Sequence, residues 1–199
     1  MQYPHLITDY VTMTLREAVQ ALVLGVGREC RVLRSADLRI LFPGDTTRAF
    51  AKGLGHLVDV GLLGRVMRGV YVNNAAESAG AREVGLLVGA MRPGCLSYLS
   101  YESVLADCGT LSQQPYWYTV ATTGRGGEYV TPAGRILFRH TSRPDREIAL
   151  DTVVDPSYEL MVAHPNVALA DLRRVFPNMP FDLDMQAHRD AVGEWNADA

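Results

Sequence analysis

Cysteine is scarce in this 199-residue chain: Cys30, Cys95 and Cys108 make an odd number with no Cys-x-x-Cys spacing. That excludes a disulfide scaffold and reads as the reduced thiols of a cytoplasmic protein. No uncharged apolar run approaches the roughly 18 residues that a membrane span needs, and "MQYPHLITDY" lacks the basic-then-apolar start of a secretory signal. The five histidines, at positions 5, 56, 140, 164 and 188, are scattered. None pairs with another at metal-ligand spacing, and no cysteine completes a zinc set. "GRGGE" at 124–128 lacks the G-x-x-x-x-G-K-[ST] phosphate cradle and reads as a hairpin turn between strands. No G-x-S-x-G elbow is present. Ser100 or Ser103 could be drawn into a triad with His140 and Asp151, but helix capping already accounts for Ser100. No enzyme activity, cofactor or metal is therefore expected.

What is present is an ordinary globular composition, 48% hydrophobic and 21% charged, with no internal repeat. The net charge of −3 conceals a segregation: residues 1–73 sum to +3, residues 74–144 to +1 and residues 145–199 to −7. A basic front and an acidic back suggest two jobs on one chain. The acidic end is read as a solvating tail rather than an imitation of nucleic acid.

The front third carries three helix signals. "TLREAVQALVLGV" starts with Thr14 and has Glu17 three residues on, the reciprocal pattern of a capping box. Leu15, Val19, Leu22, Val23 and Val26 follow at helical spacing. "SADLRILF" offers Ser35 as N-cap and Leu38, Leu41 and Phe42 as an apolar side, and Pro43-Gly44 stops it. Asp45 and Thr46 then compete to cap a third helix, "TRAFAKGLGHLVDVGLL". At about 100° per residue, Phe50, Leu54, Leu57 and Val58 cluster in one sector. Arg48, Lys52 and His56 form a stripe well away from it. Glycines at 53, 55 and 61 either weaken this helix or permit close packing. After Leu62-Leu63 a strand runs to a turn near Met67-Arg68-Gly69 and returns as "VYV". This puts Arg65 and Arg68 on a hairpin and sends Val70 and Val72 to one face and Tyr71 to the other.

Helix, helix, short turn, helix, then a strand pair is the order of a winged helix-turn-helix, in which the third helix enters a DNA major groove. The expected fold is therefore α+β: a winged helix-turn-helix over residues 1–74, then a mixed α/β domain over 75–199 that ends in the acidic tail. Thr46, Thr47 and Arg48 would reach base edges or nearby phosphates of double-stranded DNA. Lys52 and His56 would extend the contact, and Arg65 and Arg68 would hold backbone or minor groove.

In the second domain, residues 75–92 read as a helix with Val84, Leu87, Val88 and Met91 buried. "LSYLSYESVLADCG" reads as a capped helix, with Ser100 as N-cap, Leu99 and Val104 as a staple and Gly109 closing it. "YWYTVATT" and "RILFRHT" are strand-like. "HPNVALADLRRVF" reads as a helix with Pro165 in its first turn and Leu169, Leu172, Val175 and Phe176 for burial. A last short helix around 185–195 would be anchored by Trp195.

"GLLGRVMRGVYV", "YLSYESVLADCG" and "MVAHPNVALADL", in that order, resemble the AbiEi antitoxins of bacterial type IV toxin–antitoxin systems. The likeness covers roughly residues 14–175. In the third stretch Asn166-Val167 stands where the family pattern has Glu-Arg. The resemblance implies a winged helix that binds operator repeats of its own promoter and represses it. It also implies a back domain that opposes a nucleotidyltransferase-like toxin, with direct contact left open. Two rival expectations stand beside it. One is a winged-helix transcription factor whose back domain senses a ligand or dimerises, with no toxin partner. The other is a protein-interaction module in which the basic stripe is incidental.

Overall fold

The computed structural model describes residues 13–113, 115–178 and 180–198, so "MQYPHLITDY" and His5 lie outside the described residues. The architecture is mixed α+β. The chain divides into two compact units between Ser78 and Ala79, a few residues past the boundary expected at 74.

The first unit opens with α1 (Leu15–Val19). Its capping box is complete: Thr14 Oγ1 accepts the Glu17 N–H at 3.2 Å, and Glu17 Oε2 accepts the Thr14 N–H at 2.9 Å. The same backbone N–H, together with the Thr14 hydroxyl, holds the Glu17 carboxyl below its ordinary pKa. From Gln20 to Leu24 the helix widens into a π turn, and a 3-10 turn follows at Val26–Glu29. The buried stripe is therefore only in part the expected one, with Leu22 fully buried as expected and Val23 partly so. It runs through Ala18 and Leu22, with Ala21 packed beside them, while Leu15, Val19 and Val26 are exposed. Small alanines let the helix approach its neighbours closely, and the wider turn rotates Val26 off the 100° schedule.

A strand that the periodicity did not announce, β1 (Val32–Arg34), comes next. It is followed by α2 (Ser35–Leu41), α3 (Thr47–Asp59), β2 (Leu63–Met67) and β3 (Val70–Asn73). The three strands form an antiparallel sheet in the order β1-β3-β2. Leu22, Leu38, Phe50, Leu54, Leu57, Leu63 and Tyr71 share one core. Ser35 is not the N-cap of α2. Arg34 holds that position, Asp37 accepts its N–H at 2.8 Å and pairs with its guanidinium at 3.1 Å. The Ser35 N–H donates instead to the Gly69 carbonyl at 2.9 Å.

Asn73 is fully buried at the end of β3. Its Nδ2 donates to the carbonyls of Leu22 and Gly27 at 2.9 and 3.0 Å, and its Oδ1 accepts the Ala75 N–H at 3.0 Å. Those two carbonyls belong to the irregular end of the first helix, where no regular i+4 N–H follows. One carboxamide thus joins helix end to sheet.

The second unit begins with α4 (Arg82–Met91), which buries Val84, Leu87, Val88 and Met91 as expected. It starts later than residue 75 because Gly80 interrupts the run with φ +61°. The remaining elements are β4 (Ser97–Leu99), α5 (Tyr101–Asp107), β5 (Tyr118–Thr122), β6 (Gly127–Thr131), β7 (Gly134–His140), α6 (Asp145–Leu150), β8 (Thr152–Asp155), β9 (Leu160–Ala163), α7 (Pro165–Val175) and α8 (Met185–Asp198). The sheet order is β6-β7-β5-β4-β9-β8, with β5–β7 and β4–β9 parallel and the other pairs antiparallel. The "GRGGE" stretch is therefore not a hairpin turn. It carries the chain from β5 to the far side of β7, and Arg92 Nε holds it by donating to the Arg125 carbonyl at 2.8 Å. Among the described residues no helix is long and apolar enough to cross a membrane.

The last helix is docked on α7 through two histidines. His188 is buried, with Nδ1 at 3.2 Å from Thr110 Oγ1 and Nε2 at 2.9 Å from Asn166 Oδ1. His164 caps α7 by accepting the Asn166 N–H on Nδ1 at 3.1 Å, and its ring meets Trp195 edge-on at 5.3 Å. An acceptor nitrogen is unprotonated. Burial pulls both pKa values below the ordinary histidine value, aided at His188 by nearby His164, Arg173 and Arg189 and opposed at His164 by Asp151.

Two outcomes are expected. Asn73→Ala takes away the donor of the buried Leu22 carbonyl and leaves the Gly27 carbonyl only its Cys30 N–H, and should cost about 2 kcal/mol in a urea titration. Asn73→Asp should cost more, because a carboxylate would face those oxygens. The unfolded chain takes up protons at the histidines first, so stability is complete above about pH 6.5 and falls as the pH drops below it. Urea midpoints at pH 7.5 and 5.5 measure this, and His188→Gln should flatten the difference.

Candidate nucleic-acid interface

The start of α3 is fixed from two sides. Thr46 is its N-cap, accepting the Ala49 N–H at 3.2 Å. Asp45, the competing cap, turns inward instead: it is buried, and its Oδ1 accepts the Met13 N–H at 2.8 Å. Arg39 of α2 donates to the Asp45 carbonyl and lies over the Phe50 ring at 4.9 Å. This lock sets the angle between α2 and α3. No local pattern announces it, because the cation–π contact joins residues on different helices.

With Phe50, Leu54 and Leu57 turned to the core, the opposite face of α3 is free. Arg48, Lys52 and His56 are all exposed on it, and Thr46 and Thr47 are exposed at its N-terminus. Among the described residues neither Arg48 nor Lys52 is in an ion pair. Gly53 supplies close packing, since a Cβ there would meet Met13 Sδ at 3.2 Å.

The hairpin contributes the other two cations. Leu33, Tyr71 and Arg65 form one cross-strand row, and residues directly opposite one another point to the same face. Leu33 and Tyr71 of that row face the core on which α3 packs. Arg65 on the edge strand β2 therefore leaves the sheet on the α3 side, exposed. Arg68 is exposed in the two-residue turn. Gly69 follows with φ +83°, and a Cβ there would approach Ser35 Oγ to 3.3 Å. The turn is thus pinned to the first residue of α2. Arg34, also exposed, is neutralised by Asp37 and adds little to the field.

The residues of the drawn triad do not meet. Ser100 Oγ donates to Asp171 at 2.8 Å rather than capping α5, and Ser103 Oγ serves Trp117 O and Thr119 N–H. His140 Nδ1 bonds the Gly124 carbonyl, and Asp151 pairs with Arg143. The Ser100–Asp171 bond joins "YLSYES" to "ALAD", two stretches that lie far apart in the sequence. Among the described residues no group of three His, Cys, Asp or Glu side chains is placed to hold a metal ion.

No protein-family model matches the chain, and no curated protein matches it.

Gly69→Ala should destabilise the first unit by about 1 kcal/mol, because the backbone there is left-handed. A shift of the urea midpoint without a change in slope is the expected reading.

Proposed function

We propose that the first unit is a winged helix-turn-helix that binds double-stranded DNA. We propose further that the chain is the autorepressor and antitoxin of a type IV toxin–antitoxin operon. The order α1-β1-α2-α3-β2-β3 with sheet order β1-β3-β2 supports the first half. The observation that carries it is the outward stripe of α3, with Arg48 and Lys52 in no ion pair among the described residues and Arg65 leaving the sheet on the same side. In this reading Thr46, Thr47 and Arg48 meet base edges and phosphates at the groove mouth. Lys52 and His56 follow the groove, and Arg65 and Arg68 grip backbone or minor groove. The antitoxin half rests on the resemblance of the three stretches quoted above, with a nucleotidyltransferase-like toxin as the opponent.

A second reading, a transcription factor whose second unit senses a ligand, is favoured by an aromatic cavity in that unit.

Titration of the full chain against its own promoter tests the DNA reading. Arg68→Ala should weaken binding to all sequences alike and flatten the salt dependence by about one unit. Arg48→Ala should narrow the gap between promoter and unrelated DNA. Absence of retardation at low salt would overturn the reading. An Arg48→Glu/Arg65→Glu chain that cannot bind the promoter should still rescue toxin-inhibited growth if the antitoxin half is right.

A further inference from the structure

The second unit holds a cavity of about 300 Å³, the lower end of the range for small-molecule sites. Its walls come from four separate elements: Asp107 ends α5, Tyr116 and Trp117 lead into β5, Arg135 lies on β7 and Tyr158 sits between β8 and β9. Tyr116 and Trp117 meet edge-to-face with centroids 5.9 Å apart, and Tyr118 and Tyr158 do so at 6.3 Å. The Arg135 guanidinium lies 4.5 Å from the Tyr116 centroid and 5.1 Å from that of Trp117.

Two charges line this cavity without meeting. Among the described residues Arg135 has no carboxylate partner. Asp107 has no cationic one, and its Oδ2 accepts the Tyr158 hydroxyl at 2.8 Å. Burial raises the Asp107 pKa, and the Tyr158 hydrogen bond opposes that rise. An arginine fork with open donors and a carboxylate with open acceptor sites call for a ligand that carries acceptors on one edge and donors on another. The aromatic walls call for that ligand to be flat. A cationic ligand is disfavoured, because Arg135 already places a positive charge on the rings.

We propose that this cavity binds a guanine base, whose N1–H and N2–H donate to Asp107 while O6 and N7 accept from Arg135, which keeps its place on the Tyr116 and Trp117 rings. Adenine is the poorer fit, because its Watson–Crick edge would turn the N1 acceptor toward a carboxylate. The base could arrive on a free nucleotide or as an unpaired residue of a nucleic acid. The chemistry is shared. The inference does not depend on DNA binding by the first unit.

The chain has two tryptophans, so full-length Trp195→Phe protein leaves Trp117 as the fluorescent reporter. Titrations use GMP, AMP and two short single strands that differ only in one G or A. GMP should quench saturably at a concentration at least tenfold below AMP. Asp107→Asn still accepts the Tyr158 hydroxyl, and it should bring the two nucleotides to within about twofold. Arg135→Ala should weaken GMP binding about tenfold. A G-containing strand that binds more than tenfold tighter than GMP identifies nucleic acid as the source, and parity identifies the free nucleotide. No saturable quenching by any of the four probes, equal response to GMP and AMP, or a guanine preference that survives Asp107→Asn would each overturn the proposal. A promoter titration unaffected by these variants leaves the DNA-binding reading untouched.

Discussion

The first unit depends on how an irregular helix end is satisfied in the interior. The π turn at Gln20–Leu24 and the 3-10 turn after it break the i+4 ladder, and backbone carbonyls left without donors in a core cost as much as a lost hydrogen bond. Asn73 removes that cost at Leu22 and adds a second donor at Gly27, whose carbonyl already takes the Cys30 N–H, and all three of its hydrogen-bonding positions are used. Because it is the last residue of β3, the same contact fixes the sheet against the first helix. The sheet in turn sets where β2 lies against α3. The exposed stripe of α3 and the placement of Arg65 both follow from that chain of constraints.

Much of the front third is legible in the sequence. The Thr14–Glu17 box, the apolar sector of α3 and the glycine in the hairpin turn are local patterns, and each is found where its pattern predicts. What is not legible is decided by partners distant in the chain. Strand β1 is three residues long and contains Arg34, so no alternation marks it, and only pairing with β3 makes it a strand. Ser35 has the right chemistry for an N-cap, yet pairing of β1 with β3 keeps Arg34 extended as the cap and makes Ser35 the first helical residue, its amide donating to a carbonyl of the hairpin. Asp45 likewise looks like a cap until the Met13 N–H and Arg39 are brought to it by the fold.

The second unit divides the same way. Helix α4 follows from its apolar spacing; α7 begins at Pro165 and buries Leu169 and Leu172 as its spacing predicts, but Val175 at its end is exposed and Phe176 only partly buried. The strands of its sheet are three to seven residues long, mixed in direction and paired out of sequence order, and nothing in a local window specifies which neighbours they choose. The aromatic cavity is the clearest case. "PYWY" stands out in the sequence, but Asp107, Arg135 and Tyr158 come from three other elements and share no spacing with it. The role of Asn166 is likewise decided by a distant neighbour. It offers His188 a neutral acceptor, so the buried imidazole needs no charge to be satisfied.

The bond from Ser35 to Gly69 has a mechanical meaning as well. A hairpin tethered only by its strands could bend through several ångströms at little cost. This one is also fastened at its tip to the first residue of α2, so bending the tip away from the helix breaks a backbone hydrogen bond. On the DNA-binding proposal, a duplex gripped by Arg68 would feel a stiff lever rather than a loose arm. Little ordering entropy would then be lost when it engages.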